Sequence, residues 1–514
     1  MSWNLERSKE RLAAERKRVE KAGIAVKPLT REMDLANLSP TDARLVSGVH
    51  LYADLTNLDE ILVDPVQRRD DYRRVYRTLH LTRRELRRIL QSVFCGDKIQ
   101  VQGGKFHGLL FRPYGDPEAM ADDAILAGLA MYSALTDAFG EVFEAYPELI
   151  PAIGLEYGDC LVANIGIRGD RELISVGNAA NTAAKILGGG GNAITIGKNL
   201  YDNLDTEEQE WFTATGDAYR LDCTSIDDIE ALVHDAGFDW CVESSISHFA
   251  EDRENLPLDD ISIEDARVRI DISRLGPTCA KTVPAASLFV DIDGYTALVE
   301  SLDGDTDQLA KAVEVLHLFR YELRKVTETD HDGIAVQHQG DRLQGLLHLP
   351  GAEDDDIRES AVDLCIACNS SVEDVLNASH ADLLGKLHVA IGCAFGKALV
   401  GMLGTKGDRD PVCIGKATMT AEDIQLAMAG NRLGITKAVY ESITDVEIKE
   451  YLTWNKDAKC YAASGLTFTA IEETEAAKQY TTAKTAGYSG AGAIIIGTRA
   501  AEQVPLKVTR PYSV

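Results

Sequence analysis

The chain is written twice. The stretch A-I-G-L-E-Y-G-D-C-L-V-A-N-I-G-I-R-G-D-R-E from Ala152 lies over A-I-G-C-A-F-G-K-A-L-V-G-M-L-G-T-K-G-D-R-D from Ala390 at a shift of 238 residues, and Asp54 lies over Asp291 at a shift of 237. One residue of drift over so long a span marks an internal duplication, so the two halves must share a fold. Each half has the same order of signals. A short apolar strand ends at an aspartate, a long helical pattern follows, and then two strands meet in a tight hairpin. In the second half the helical pattern runs over 306–327 with Leu309, Val313, Leu316, Phe319 and Leu323 on one face. The hairpins turn at Gly103-Gly104 and at Gly340-Asp341.

Composition narrows the functional classes. With 514 residues, 45% hydrophobic and 26% charged, the chain reads as a globular protein of two domains. A formal charge of −29 repels nucleic acid and anionic membrane, so polyanion binding requires a local basic site or a metal. No apolar stretch has the length of a membrane span, the N-terminus lacks the apolar core of a signal peptide, and ten cysteines show no pairing framework. The expectation is a reduced, cytoplasmic protein. Cys365 and Cys368 form a lone C-x-x-C inside a helical pattern, which reads as core packing.

The chemistry concentrates at Ser287–Thr296, S-L-F-V-D-I-D-G-Y-T, where a strand delivers Asp291 to a glycine turn and a helix follows. Backbone N–H groups at such a junction favour phosphate, and a carboxylate beside them suits a divalent cation. The copies then diverge in a complementary way. Asp341 stands at the second hairpin where the first has Gly104, so only the second half owns two carboxylates for hard cations. Asn181 and Lys185, four apart on one helical face, suit a sugar and a phosphate, while Met419 and Asp423 occupy the aligned positions. Arg432 in G-N-R-L-G-I-T-K faces Asn192 in the aligned stretch of the first half.

F-V-D-I-D-G-Y-T, Q-G-D in a hairpin and G-x-x-x-N-x-x-x-K opening a helix together resemble the class III nucleotidyl cyclases, over nearly the whole chain. The resemblance implies an α+β fold: two tandem ferredoxin-like cyclase domains forming a pseudo-heterodimer with one live site. It also implies roles. Asp291, Asp341 and the Ile292 carbonyl would hold two Mn²⁺ or Mg²⁺ ions. Asp293, Gly294, Tyr295 and Thr296 would cradle the triphosphate with help from Arg432, Asn181 would position the ribose, and Lys185 would stabilise charge on the reacting phosphate. Lys185 departs from the arginine of the family and lacks its planar fork. Purine-specific relatives carry a lysine and an acidic residue or threonine where this chain has Gln100 and Ile174. In that respect the chain is similar to the pyrimidine cyclases of bacterial Pycsar antiphage systems, which implies UTP to cyclic UMP, a product read by a separate effector.

The expected division is a charged helix and lead-in over 1–45, a degenerate cyclase domain over 46–215, closure and linker over 216–282, a metal-binding domain over 283–475 and a tail over 476–514. The live site is expected within one polypeptide, with a further homodimer left open. Rival readings are a purine cyclase making cyclic AMP and a catalytically silent nucleotide sensor. A diguanylate-cyclase-like domain is disfavoured by the absence of a G-G-D-E-F-type hairpin.

Overall fold

The computed structural model describes residues 3–29, 35–39, 42–58, 69–167, 170–302, 305–379 and 385–476. The tail from 477 onward, Asp59 and the side chain of Thr296 lie outside the described residues.

Each half builds a nine-stranded sheet. The first contains β1 (Ala25–Pro28), β2 (Asp42–Leu55), β3 (Asp97–Gln102), β4 (Lys105–Leu110), β5 (Pro151–Ile167), β6 (Asp170–Val176), β7 (Ala193–Ile196), β8 (Thr213–Thr215) and β9 (Ala218–Asp222). Its order is β3-β4-β2-β5-β7-β9-β8, with β1 beside β2 and β6 beside β5. The second contains β10 (Ser262–Asp265), β11 (Cys279–Ile292), β12 (Ile334–Gln339), β13 (Arg342–Leu347), β14 (Val389–Thr405), β15 (Asp408–Ile414), β16 (Arg432–Ile435), β17 (Thr453–Asn455) and β18 (Cys460–Ser464). Its pairing repeats the first strand for strand. The tandem α+β architecture expected from the duplication is the one adopted.

The helices that matter for the site are α1 (Leu5–Ala22), α2 (Arg69–Arg88), α3 (Asn178–Ile186), α4 (Val242–Asn255), α5 (Tyr295–Ser301), α6 (Thr306–Lys325), α7 (Asp354–Ser370) and α8 (Lys416–Ala427). Helix α3 lies directly on β5 because Gly154 has no side chain: a Cβ there would meet the Ala183 carbonyl at 2.3 Å. Gly392 gives α8 the same seat on β14, where the Ala421 carbonyl is 2.1 Å from a Cβ position. Cys365 and Cys368 are buried on α7 in the core.

Structural register corrects one alignment. Ala390 pairs with Arg432, and its counterpart Ala152 pairs with Ala193. Arg432 therefore corresponds to Ala193, while Asn192 corresponds to Asn431; both asparagines have positive φ, 56° and 30°. Setting Arg432 against Asn192 was one residue out, because a one-residue slip in a glycine-rich turn leaves no mark on the apolar pattern.

The halves interlock. One hydrophobic core combines first-half residues with Leu399, Leu403, Val412 and Ile414, and another combines second-half residues with Leu161, Ala163, Ile165 and Ile174. The stretch 216–282, which reads in sequence as closure and linker, contains β9, α4 and β10. Helix α4 is the counterpart of α1, and each packs on the other half. Ser8 Oγ donates to Glu322 on α6, while Ser245 Oγ donates to Glu85 on α2 at 2.7 Å. Both relationships carry the shift of 237 residues. Arg11 completes its side of the exchange, pairing with Glu322 at 2.5 Å and Asp330 at 2.7 Å.

Candidate active site

Strand β11 is buried along Leu288–Val290 and emerges at Asp291, after which Gly294 adopts a left-handed conformation (φ +73°) and starts α5. A residue with a Cβ resists that conformation, so the glycine sets the turn. Across the sheet, Asp291 pairs in register with Arg342, the residue after Asp341. The two carboxylates are thus brought side by side by one strand end and one hairpin.

Burial is the main cause of the raised pKa of both groups. Asp291 is pushed up to about 6, opposed by Arg342 and by a hydrogen bond from Gln425 Nε2 at 3.0 Å. Asp341 is pushed well above the carboxylate range by burial and then by Asp291. Neither makes an ion pair with a described residue. Two neighbouring carboxylates, Asp291 raising the proton affinity of Asp341 and being raised in turn by Asp293 and Glu422, are a donor set for a hard divalent cation, with the Ile292 carbonyl beside them. Among the described residues no group of three or more His, Cys, Asp or Glu side chains is placed to hold a metal ion.

A cavity of about 630 Å³ draws its walls from both halves. Asp291, Ile292, Asp293, Gly294, Tyr295 and Asp341 come from the second half, and Gln100, Ile174, Asn181 and Lys185 from the first. Arg432 is not among the wall residues; it is half-buried at the start of β16, two residues from Gly430, whose N–H donates to Asp293 Oδ2 at 2.7 Å. Two polar groups in the walls are buried without a hydrogen-bond partner among the described residues, Asn181 Nδ2 and Tyr295 Oη. Such groups are costly unless something completes them. Lys185 Nζ meets Glu300 Oε1 on α5 at 2.8 Å.

Gln100 lies in the wall, but its amide is already engaged. Its Nε2 donates to the His338 carbonyl and, at 3.3 Å, to Glu172, while Oε1 accepts from Gln102 at 2.7 Å. Gln337, its counterpart, donates in return to the Val101 carbonyl. This end of the cavity also contains an aromatic pair absent from the sequence-based candidates: the Tyr52 ring stacks on His107 with centroids 4.0 Å apart, and His107 bonds His50 at 3.0 Å. His107 is Gln344 in the second copy. The comparison of copies that singled out Asn181 would have singled it out too. Glu300 and Gln425 differ between the copies in the same way, standing over Val63 and Leu187.

The pseudo-symmetric position in the other half is tight. A Cβ on Gly104 would sit 3.3 Å from Asp54 Oδ1 and from Leu58 Cδ2, so an aspartate there has little room.

Two domains of one fold, apposed so that a single cavity takes complementary side chains from each, have the architecture of a tandem class III cyclase. Comparison with known proteins agrees. A uridylate cyclase of Pseudomonas aeruginosa is 29% identical over 524 aligned residues, covering 96% of each chain. A uridylate cyclase of a Rhizobium species is 24% identical and covers 81% of each. The crystal structure of a class III adenylyl cyclase-like ATP-binding protein from Pseudomonas aeruginosa superposes with a TM-score of 0.78 at 25% identity, covering 92% of this chain and 99% of that one. No protein-family model matches the chain. Over most of its length the chain is similar to uridylate cyclases, and its fold is that of a class III cyclase-like protein. It is a nucleotide cyclase, and no helix among its described residues is long and apolar enough to cross a membrane.

Proposed function

We propose that the chain converts a pyrimidine nucleoside triphosphate, UTP foremost, into its 3′,5′-cyclic monophosphate and pyrophosphate. The observation that carries this reading is the base-side end of the cavity. Ile174 offers an apolar wall, the Gln100 amide is spent within the protein, and the Tyr52–His107 stack takes up room. That end suits a small ring better than a purine. Two relatives named uridylate cyclase support the same choice.

In this reading the unpartnered Asn181 Nδ2 donates to the ribose and holds its 3′-oxygen toward the α-phosphorus. Lys185 leaves Glu300 and meets the charge that grows on the α-phosphate oxygens. The turn from Asp293 to Tyr295 faces the β- and γ-phosphates, with Arg432 approaching from the neighbouring loop. The new O3′–P bond forms as the bond from the α-phosphorus to the bridging oxygen breaks; pyrophosphate leaves and the hydroxyl proton passes to water. Two Mn²⁺ or Mg²⁺ ions held by Asp291, the Ile292 carbonyl and Asp341 would supply acidification of the hydroxyl and neutralisation of phosphate charge. Resemblance extends the proposal to a role as messenger synthase in antiphage defence, with a separate effector reading the product in the cytoplasm.

The test is to incubate purified protein and Mn²⁺ with each of the four nucleoside triphosphates and identify the products. Cyclic UMP is the expected major product. Dominant cyclic AMP would overturn the pyrimidine reading, and pyrophosphate release no faster than in Asp341→Asn with every nucleotide would leave a silent nucleotide sensor.

A further inference from the structure

Arg320 stands where the two halves meet beneath the carboxylate hairpin. It is carried by α6, is 4% exposed, and uses every nitrogen of its guanidinium. Nε and Nη2 both donate to the Gly340 carbonyl, at 3.0 and 2.6 Å, and Nη1 donates to Glu172 of the first half at 3.2 Å. Gly340 is the residue before Asp341, in the left-handed turn of the hairpin (φ +67°). The same Glu172 oxygen accepts from Gln100 at 3.3 Å. One buried cation therefore ties the turn bearing Asp341 to the base-side wall contributed by the opposite half.

The duplication supplies an internal comparison. At a shift of 237 residues Arg320 becomes Arg83 on α2, which is 6% exposed and donates to the Gly103 carbonyl at 2.7 Å, the same point on the sister hairpin. The likeness ends there. Nε and Nη1 of Arg83 have no hydrogen-bond partner among the described residues, and Asp410, in the place of Glu172, is taken by Lys98 at 3.0 Å. Holding a hairpin against its helix is accomplished in the first half by a single bond. The complete clamp is built only under the hairpin that carries an aspartate.

We infer that Arg320 is a positioning residue for Asp341. Gripping the Gly340 carbonyl with two donors and bracing itself on Glu172, it holds the turn so that the Asp341 carboxylate stays beside Asp291. A planar fork can fix orientation in this way where a point charge cannot. Outer-shell partners of this kind typically change metal affinity by about 10- to 100-fold when removed. The inference rests on the metal reading of Asp291 and Asp341 given above.

The test measures Mn²⁺ affinity of the full-length protein by electron paramagnetic resonance of the free ion, with and without 3′-deoxy-UTP, which has no 3′-hydroxyl to cyclise. Arg320→Gln is expected to weaken Mn²⁺ binding about tenfold or more, and Arg83→Gln to leave it at the wild-type value, with thermal unfolding of both followed in parallel. Arg320→Lys keeps the charge but loses the fork; it is expected to weaken binding as well and serves if the glutamine variant does not fold. Arg320 variants that bind Mn²⁺ as wild type does, or an Arg83→Gln loss of equal size, would overturn the inference. Asp341→Asn runs in the same series. Wild type binding no better than that variant would bring down the metal reading and the clamp with it, whereas a loss in Asp341→Asn beside unchanged Arg320 variants refutes the clamp alone.

Discussion

Lys185 Nζ lies 2.8 Å from Glu300 Oε1, a first-half cation held by a second-half carboxylate in the wall of the cavity. Both side chains are more than one-third exposed, so the pair contributes little to stability. Its consequence is for the nucleotide, which must compete with Glu300 for the lysine. Glu300→Gln is expected to lower KM for the triphosphate a few-fold with kcat little changed, and Lys185→Ala to lower kcat by about 10²-fold or more. Steady-state kinetics on both variants decide the matter. A rise in KM in Glu300→Gln would mean that the carboxylate orients the lysine instead of competing for it.

Because each half lacks the groups the other supplies, the site is expected to form within one polypeptide. Mixing Asp291→Ala with Asn181→Ala should give no activity above the sum of the two alone. Recovery toward one-quarter to one-half of wild type would indicate a site assembled between chains.

The carboxylate pair makes stability depend on pH in a direction opposite to that of an ion-paired aspartate. Asp291 has its folded pKa raised from 3.8 to about 6, so in that window the metal-free folded state holds a proton that the unfolded chain has released. Stability without metal should fall as pH rises from about 4 to about 6 through Asp291, and Asp341, held well above the carboxylate range, carries the fall beyond that window. Mn²⁺ prefers the ionised pair, so the metal-induced rise in Tm should grow across the same window. Thermal unfolding with chelator and with Mn²⁺ tests this; a metal-induced rise that is flat or shrinks with pH contradicts it, and Asp291→Asn should abolish most of the rise.

Arg11 neutralises Glu322 and Asp330, whose side chains are 2% and 1% exposed. Arg11→Ala leaves both buried charges short of a partner, and the expected cost is about 3 kcal/mol of folding stability. Urea unfolding measures it. A cost below about 1 kcal/mol would show that the remaining donors among the described residues, Arg7, Ser8 and Ser371, suffice.

If the Tyr52–His107 stack sets the size of the base pocket, Tyr52→Ala should raise kcat/KM for ATP relative to UTP by about tenfold, the scale on which pocket volume discriminates. An unchanged ratio with both substrates still turned over would transfer that role to Ile174 and its neighbours.

Much of this molecule was legible in one sequence because the chain contains its own comparison. Alignment of the halves separated Asp341 from Gly104 and Asn181 and Lys185 from Met419 and Asp423, and the structure lines one cavity with Asp341, Asn181 and Lys185 together with Asp291. The hairpins and the strand–turn–helix at Asp291 were readable from local apolar patterns and glycine positions. Arg432 was set one residue out of register, since a glycine turn carries no periodic signal to align.

By itself the sequence determined the duplication, the element order in each half and the unequal division of carboxylates, amide and cation between the copies. These follow from spacing along the chain and from copy-to-copy differences. Only the tertiary structure decided that the leading helices exchange between halves, that the Gln100 amide is spent on His338, that Tyr52 stacks on His107, that Glu300 holds Lys185, and that Arg320 grips the turn before Asp341. Each of these contacts joins residues 20 to more than 300 positions apart. Side chains choose such partners by the packing of two interlocked cores, and no local period records that choice.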